Sequence, residues 1–320
     1  MTPHCRILHL DRPPTGRVLT PVIDSVRILL ATLLLTACPG VTQLVSAQTP
    51  VATDAPLPDV ETLKDQVRAH LEPDSALLSQ YTYRERRRDV KVSRLGKVHL
   101  GPWRDFEVYP SRVPGETYKR LVAVDGLPLP ADELAQRDEA HRRHVLDRQA
   151  HLKAETPAQR QKRLAKRARE AREQREAVAE VFRVYRMAIV RRETRDRRPT
   201  LLVSLTPQQE VVTRSDIGDV LKRMHGFVWI DEADHQVVRV EMTVTRDVTL
   251  GFGLLARLDA GSTLMFRRAR VNGEIWLPAQ ATFKSAGRSL VFRKFDLEAT
   301  TYFSDYRKFN VSTDEEVASR

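Results

Sequence analysis

The chain has 320 residues and a formal net charge of +11, from 53 Lys and Arg against 42 Asp and Glu. Its two cysteines, Cys5 and Cys38, both lie near the start. A disulfide framework and thiol chemistry are therefore excluded for everything downstream. After residue 48 no stretch approaches about 18 consecutive apolar residues, so no helical membrane span is expected there.

Residues Val22 to Gln48 read as an export signal. Arg27 supplies a positive n-region, and Ile28 to Leu35 form an apolar core too short to span a bilayer, which takes roughly 20 residues. Val45-Ser46-Ala47 fits a signal peptidase, giving a mature start at Gln48. Leu35-Thr36-Ala37-Cys38 has the form of a lipobox, which would leave a lipid anchor on Cys38. Pro39 directly after the cysteine speaks for cleavage near Ala47. The expected location is the periplasm or the exterior, with anchorage through Cys38 as the alternative. The expected organisation is a leader and signal over 1–47, a Pro/Thr/Ala linker over 48–59, and one domain over 60–320 with a helical insertion at about 131–180.

The charge is placed unevenly. Residues 48–131 carry 13 basic and 12 acidic side chains, residues 199–320 carry 16 and 16, and residues 132–198 carry 20 and 12. The excess is a local device of the third block. After export its anionic partner is a lipid or lipopolysaccharide surface or an acidic protein, and no nucleic-acid partner is expected.

Val60 to Leu71 reads as a short amphipathic helix with Leu63, Val67 and Leu71 on one stripe, ended by Pro73. Alternating strands follow: Tyr81 to Val92, Trp103 to Tyr109 and Tyr118 to Val124, with turns at Gly96 and Asp125-Gly126. The run Arg84-Glu85-Arg86-Arg87-Arg88 is expected on the wet face of its strand. Ala131 to about Ala179 is built of strong helix formers. Thr156-Pro157 divides it into two helices, as an N-cap followed by proline at the first helical position. Leu164, Ala168, Ala171, Val178, Phe182 and Tyr185 make a narrow stripe on the second, so the pair is expected to project, or to lie along the body on one thin contact.

From Arg183 the period returns to two. Arg183–Glu193 and Pro199–Thr206 flank a turn at Arg195 to Arg198, and Ser215 to Met224 reads as a short helix. Gly226 to Asp231 turns through Glu232-Ala233-Asp234-His235 into Gln236 to Val248. Ser262 to Val271 and Glu274 to Lys284 flank Asn272-Gly273, a strong type I′ signal. Leu290–Leu297 and Ala299–Tyr306 complete ten or eleven antiparallel strands, too many to stay flat. The expected fold is α+β: an unclosed antiparallel half-barrel capped by helices, with a long charged helical insertion.

This pattern resembles the periplasmic lipoprotein-carrier superfamily, which includes the LolA/LolB carriers, RseB-type regulators and outer membrane lipoprotein-sorting relatives. The residues that carry the resemblance are the Tyr81-x-Tyr83 strand, Gly226-Phe227-Val228-Trp229-Ile230-Asp231 with Val237-Val238-Arg239-Val240-Glu241, and Trp276-Leu277-Pro278. It covers about 60–130 and 182–310. It implies an apolar cavity that takes acyl chains. Residues 132–180 depart from it, because typical carriers lack a charged helical insertion of this length.

No His-Glu-x-x-His, Gly-x-Ser-x-Gly or P-loop occurs. Gly251-Phe252-Gly253 lacks the third glycine of a nucleotide site. His141, His144, Asp147 and His151 share a helix face, but Arg142, Arg143 and Arg148 repel a cation, so no metal is expected. Asp231, Glu232 and Asp234 cluster in a turn, where acidic residues are ordinary. The expectation is a protein without catalytic residues or cofactor. It would bind lipid or lipoprotein acyl chains, with an anionic membrane surface as a further partner. The alternative is a regulatory or scaffold module with a filled core that binds a protein, and a hydrolase with an unrecognised site is a third reading. The apolar segment Leu250 to Leu258, with two glycines, reads as a plug of the half-barrel or a lid over it. The candidate cavity residues are Phe252, Leu254, Leu255 and Leu258 from this segment, with Trp229 and Met242. The candidate membrane-surface contacts are Arg163, Lys166, Arg167 and Arg169.

Overall fold

The computed structural model describes residues 55–71, 77–92, 98–111, 113, 116–250, 256–288 and 294–309. The export signal, Gly96, and Phe252, Leu254 and Leu255 of the expected lid lie outside them. The strands in chain order are β1 (Tyr81–Val92), β2 (Val98–Pro110), β3 (Thr117–Val124), β4 (Leu127–Pro128), β5 (Tyr185–Arg195), β6 (Arg198–Pro207), β7 (Met224–Asp231), β8 (Val237–Val244), β9 (Val248–Leu250), β10 (Ala256–Leu258), β11 (Thr263–Val271), β12 (Ile275–Arg288) and β13 (Lys294–Lys308). Among the described residues, eleven of them form one sheet in the order β4-β3-β2-β1-β13-β12-β11-β8-β7-β6-β5, and β9 and β10 form a separate pair. Neighbours in the large sheet are antiparallel. The first and last long strands meet at its centre, Tyr81 opposite Lys308 and Arg87 opposite Thr301.

The two edges of this sheet, β4 and β5, are consecutive in the chain. What separates them is a pair of helices, α2 (Ala131–Lys153) and α3 (Pro157–Val184). The sheet is thus an unclosed half-barrel, and the chain passes from one edge to the other through helix.

Turn chemistry sets the strand ends. Asn272 and Gly273 both take positive φ, 53° and 70°, as a type I′ hairpin demands. Asp196 and Arg197 do the same at 49° and 63° without a glycine. Gly226 is required for another reason: a Cβ there would stand 1.9 Å from the Glu241 carbonyl oxygen on the paired strand. Two expectations are corrected. The segment expected as two strands near the C-terminus is, over its described residues, the single long strand β13, because Glu298 stays in register with β12, opposite Lys284. β5 begins at Tyr185, since α3 holds its ladder through Val184 and the Tyr185 N–H still donates to the Val181 carbonyl.

The wet-face expectation for Arg84 to Arg88 is also corrected. Alternation sends Arg84 and Arg86 to solvent, while Tyr81, Tyr83 and Glu85 point inward. Glu85 is only 1% exposed, and its carboxylate takes a 2.6 Å hydrogen bond from Lys119 Nζ and lies 3.2 Å from Arg87. A buried carboxylate persists only when it is paired in this way.

The helices are capped by their own sequences. Asp59 caps α1 (Val60–Ala69) through the Thr62 N–H. Thr156 and Gln159 form a reciprocal capping box at α3, with Pro157 in its first turn. Ser215 caps the short α4 (Asp216–Leu221). α2 has no buried residue, and α3 buries only Ala177, Glu180, Val181 and Val184 near its C-terminus. Leu164 of the expected stripe is 52% exposed. α2 is held to β3 by polar contacts instead. Arg120 donates twice to Asp138, both at 2.9 Å, and the Tyr118 hydroxyl donates at 2.7 Å. The His141 ring stacks on Tyr118 at 3.8 Å, and His144 and Arg148 approach Glu116. Partial burial works to raise the Asp138 carboxyl, but the Arg120 and Tyr118 hydrogen bonds outweigh it and hold the group below the usual carboxylate range.

The main core lies on the face of the sheet that carries Leu201, Val203, Val228, Ile230, Val240, Leu264 and Phe266, under α1, α4 and the end of α3. Leu202, Trp229, Val238 and Trp276 form a second cluster. Leu202 and Trp229 are register partners and alternate with the first set, so they sit on the opposite face. Trp229 is 5% exposed, and its indole N–H donates to Glu193 at 2.7 Å. Arg195 and Arg239 lie over its ring at 4.7 and 5.5 Å. We predict that Trp229→Ala costs about 3–5 kcal/mol in denaturant melts, as a large buried truncation. A loss below about 1 kcal/mol would mean that the arginines, and not the ring, keep this face dry.

Candidate functional site

The candidate site is an apolar cleft between helices and sheet. Its floor is built by period two: Val203 and Leu205 of β6, Val228 and Ile230 of β7, with Met187 and Val237 beside them. One wall is α1 with Leu71 just past its end, through Leu63, Val67 and Leu71, which recur every four residues. The other is the last stretch of α3, through Val178, Val181 and Phe182. Among the fourteen described residues that line the cleft, Lys64 alone is charged. The cleft is partly open to solvent and has a cavity volume of about 40 Å³.

Polar contacts hold the frame. Behind the floor, the buried Tyr185 hydroxyl donates to the Leu221 carbonyl at 2.9 Å and fixes α4 against β5. Burial pushes that hydroxyl far above the ordinary tyrosine range. Arg192 leads the chain into α1: it donates to the carbonyls of Ala55 at 2.5 Å and Pro56 at 3.2 Å while paired with Glu232. At the other end of α1, His70 meets the His235 ring at 5.7 Å. The Arg68 guanidinium lies 4.6 Å over the Phe182 ring, joining the two walls.

Of the residues expected in a cavity, Leu258 stands in β10 opposite Val248. Met242 belongs to the core cluster on the floor's side without lining the cleft. Trp229 is placed on the opposite face of the sheet, which corrects its assignment to the cavity. Its strand neighbours Val228 and Ile230 occupy the cleft because alternation permits only one of the two sets to do so. Of the basic residues singled out on α3, Arg163 pairs with Glu155 at 2.8 Å, Lys166 lies 3.8 Å from Glu170 and Arg169 pairs with Glu173 at 2.7 Å, while Arg167 is exposed. The cleft walls were not singled out beforehand. Their signal was present in the stripes of α1 and of Val178 and Phe182, but which sheet face they cover is not written in either stripe.

The turn carboxylates are structural. Asp231 takes two hydrogen bonds from Arg198 and caps the Ala233 and Asp234 N–H groups. Asp234 accepts from the Trp276 indole at 2.8 Å. Among the described residues no group of three or more His, Cys, Asp or Glu could hold a metal, and no helix is long and apolar enough to cross a membrane.

No family model and no curated protein matches this chain. Several solved structures do. A LolA superfamily protein from Nitrosomonas europaea matches at 10% identity and a TM-score of 0.24, over 80% of this chain and 95% of that one. A DUF1329 family protein from Desulfovibrio piger matches at 10% identity and a TM-score of 0.27, over 82% and 99%. A domain titled as an outer membrane lipoprotein-sorting protein, from Vibrio parahaemolyticus, matches at 9% identity and a TM-score of 0.24, over 81% and 100%. These likenesses are too slight to assign a family or an activity.

α1 spans ten residues and buries Leu63 and Val67, whereas the β6–β7 floor is buried almost continuously. We predict that α1 opens locally well below the global unfolding free energy. In hydrogen exchange, amides 60–69 should exchange at least tenfold faster than amides 201–205 and 226–230. Equal protection would make α1 an integral part of the core and not a movable wall.

Proposed function

We propose that this is an exported, non-catalytic binding protein that takes an apolar chain, from a lipid or a lipidated partner, into the cleft beneath α1. The observation that carries this reading is the lining: among the described residues, thirteen apolar side chains and a single ammonium. Ligand clefts run from roughly 300 to 1,000 Å³. The cavity volume here, about 40 Å³, is far below that range. An acyl chain therefore enters by displacing α1, the wall with the least buried surface. The small cavity volume favours a second reading, in which the core stays filled and the fold presents a surface to a protein.

Val178 lines the cleft from α3 without being fully buried. Val178→Trp should fill that space and lower binding of a fluorescent fatty acid at least tenfold, with native circular dichroism. Unchanged binding would move the ligand elsewhere, and no binding by the parent protein would favour the filled-core reading.

The outer part of α3 supplies a second element of the proposal. Residues 158–176 hold eight basic and three acidic side chains. Their narrow stripe holds one large apolar side chain, the exposed Leu164, among alanines, so the helix would rest on anionic head groups without inserting. Replacing Arg160, Lys162, Lys166 and Arg169 together by Gln should weaken cosedimentation with anionic vesicles by up to roughly a thousandfold at low salt, at about 1 kcal/mol per charge at most. Binding by the parent protein should fall steeply as salt rises, since screening acts over about 10 Å at 0.1 M. Salt-independent binding would refute a role in membrane steering.

A further inference from the structure

We infer that the cleft selects an anionic amphiphile, whose head group takes the Lys64 ammonium in place of the Glu61 carboxylate. This rests on the apolar-ligand reading above and adds the chemical class of the ligand. Among the described residues of the lining, Lys64 is the one charged side chain and the rest are apolar. Its side chain is 18% exposed, so its stem lies along the apolar wall while its head reaches the boundary with solvent. There Nζ donates to both Glu61 oxygens, at 2.9 and 2.8 Å. The Glu61 side chain is itself 71% exposed and belongs to the same helix turn.

Glu61 thus occupies the position of a ligand's head group. With the Glu61 carboxylate largely in solvent, an ion pair three residues apart is weak, because water and side-chain entropy offset its attraction. It can be exchanged at little cost for an oxyanion whose tail lies in the cleft. The other charges near the mouth do not compete for this ligand. Neither Arg68 nor Arg183 is among the described residues that line the cleft: Arg68 lies over the Phe182 ring, and Arg183 is paired with the buried Glu180. A neutral chain could fill the same cleft but would leave the Lys64–Glu61 pair in place and gain nothing from it. A cationic amphiphile would bring its charge against the ammonium.

The oxyanion could be the carboxylate of a free fatty acid or the phosphate of a phospholipid head group. Titration calorimetry on the full chain, with every probe below its micelle concentration, separates the alternatives. The probes are palmitate, hexadecyl phosphate, hexadecanol and hexadecyltrimethylammonium. At least one anionic probe should bind about tenfold or more tightly than hexadecanol, as expected for a charge-assisted hydrogen bond at a partly dry site. Preference for palmitate identifies a fatty acid, and preference for hexadecyl phosphate a phospholipid head group. Lys64→Met should abolish the preference, Lys64→Arg should keep it, and Glu61→Gln should tighten the anionic probe severalfold by removing the internal competitor. Hexadecanol affinity should stay constant through all three variants, which also reports that the cleft is intact. Equal affinity for anion and alcohol, or a preference that survives Lys64→Met, would overturn this inference and leave the apolar-ligand reading standing. Failure of all four probes to bind would overturn both.

Discussion

The structure depends on one geometric constraint: a long antiparallel sheet whose edges are not joined to each other. β4 and β5 are consecutive strands at opposite ends of the order, and among the described residues they do not pair to close the sheet. An inward face of Val, Leu, Ile and Phe must then be covered by something other than more sheet. α1 and the last turns of α3 meet that need over β5 to β8, and the aromatic group Tyr83, Phe106, Phe303 and Tyr306 lies on the half built from β1, β2 and β13. Wherever the covering helices fit the floor less closely than a strand would, space is left. The cleft follows from the failure to close and needs no separate device.

The same constraint explains why α3 has two characters along one axis. A helix of 28 residues is about 42 Å long at 1.5 Å per residue, and its buried residues all lie from Ala177 onward. Its last turns dock through Val181 and Val184. Its first five turns extend into solvent, where helical stability rests on propensity, on the Thr156–Gln159 capping box and on i,i+4 pairs such as Arg169–Glu173 and Arg172–Glu176. Each such exposed pair contributes little to stability. Their greater effect is on charge placement: they neutralise some arginines and leave a net excess along a rod with only a narrow, alanine-rich stripe.

Local chemistry was legible in the sequence, and the choice of face was not. Asn272-Gly273 and Thr156-Pro157 announce themselves because each needs a specific backbone conformation that few residues supply. Alternation in β1 and β7 was also legible, but period two defines two sets of residues without saying which is inside. In β6 the sets cannot be separated at all, since Leu201, Leu202 and Val203 are consecutively buried. One face packs on helices and the other under the arginines over Trp229. For Glu85 the charge itself misled, because its burial depends on Lys119, which lies 34 residues away and reaches it only through the β1–β2–β3 register. The cleft was missed for the same reason. Its walls come from positions near 63 and near 181, and only the fold makes them neighbours.

The attachment of α1 bears on how such a cleft could exchange a ligand. Burying two aliphatic side chains contributes about 3–6 kcal/mol, before the entropy of ordering the segment is subtracted. Each methylene removed from water contributes about 0.8 kcal/mol. A hydrocarbon chain that displaced α1 would therefore recover the loss with roughly four to eight buried methylenes, fewer than an ordinary acyl chain carries. Arg192, through the Ala55 and Pro56 carbonyls, holds the segment just ahead of α1. The helix could then swing about a fixed end, and its return would cost only a short search. A wall held more firmly would seal the cleft against any chain. One held less firmly would leave Val203, Val228 and Ile230 in water. The observed arrangement, two buried anchors and one tethered end, lies between those limits.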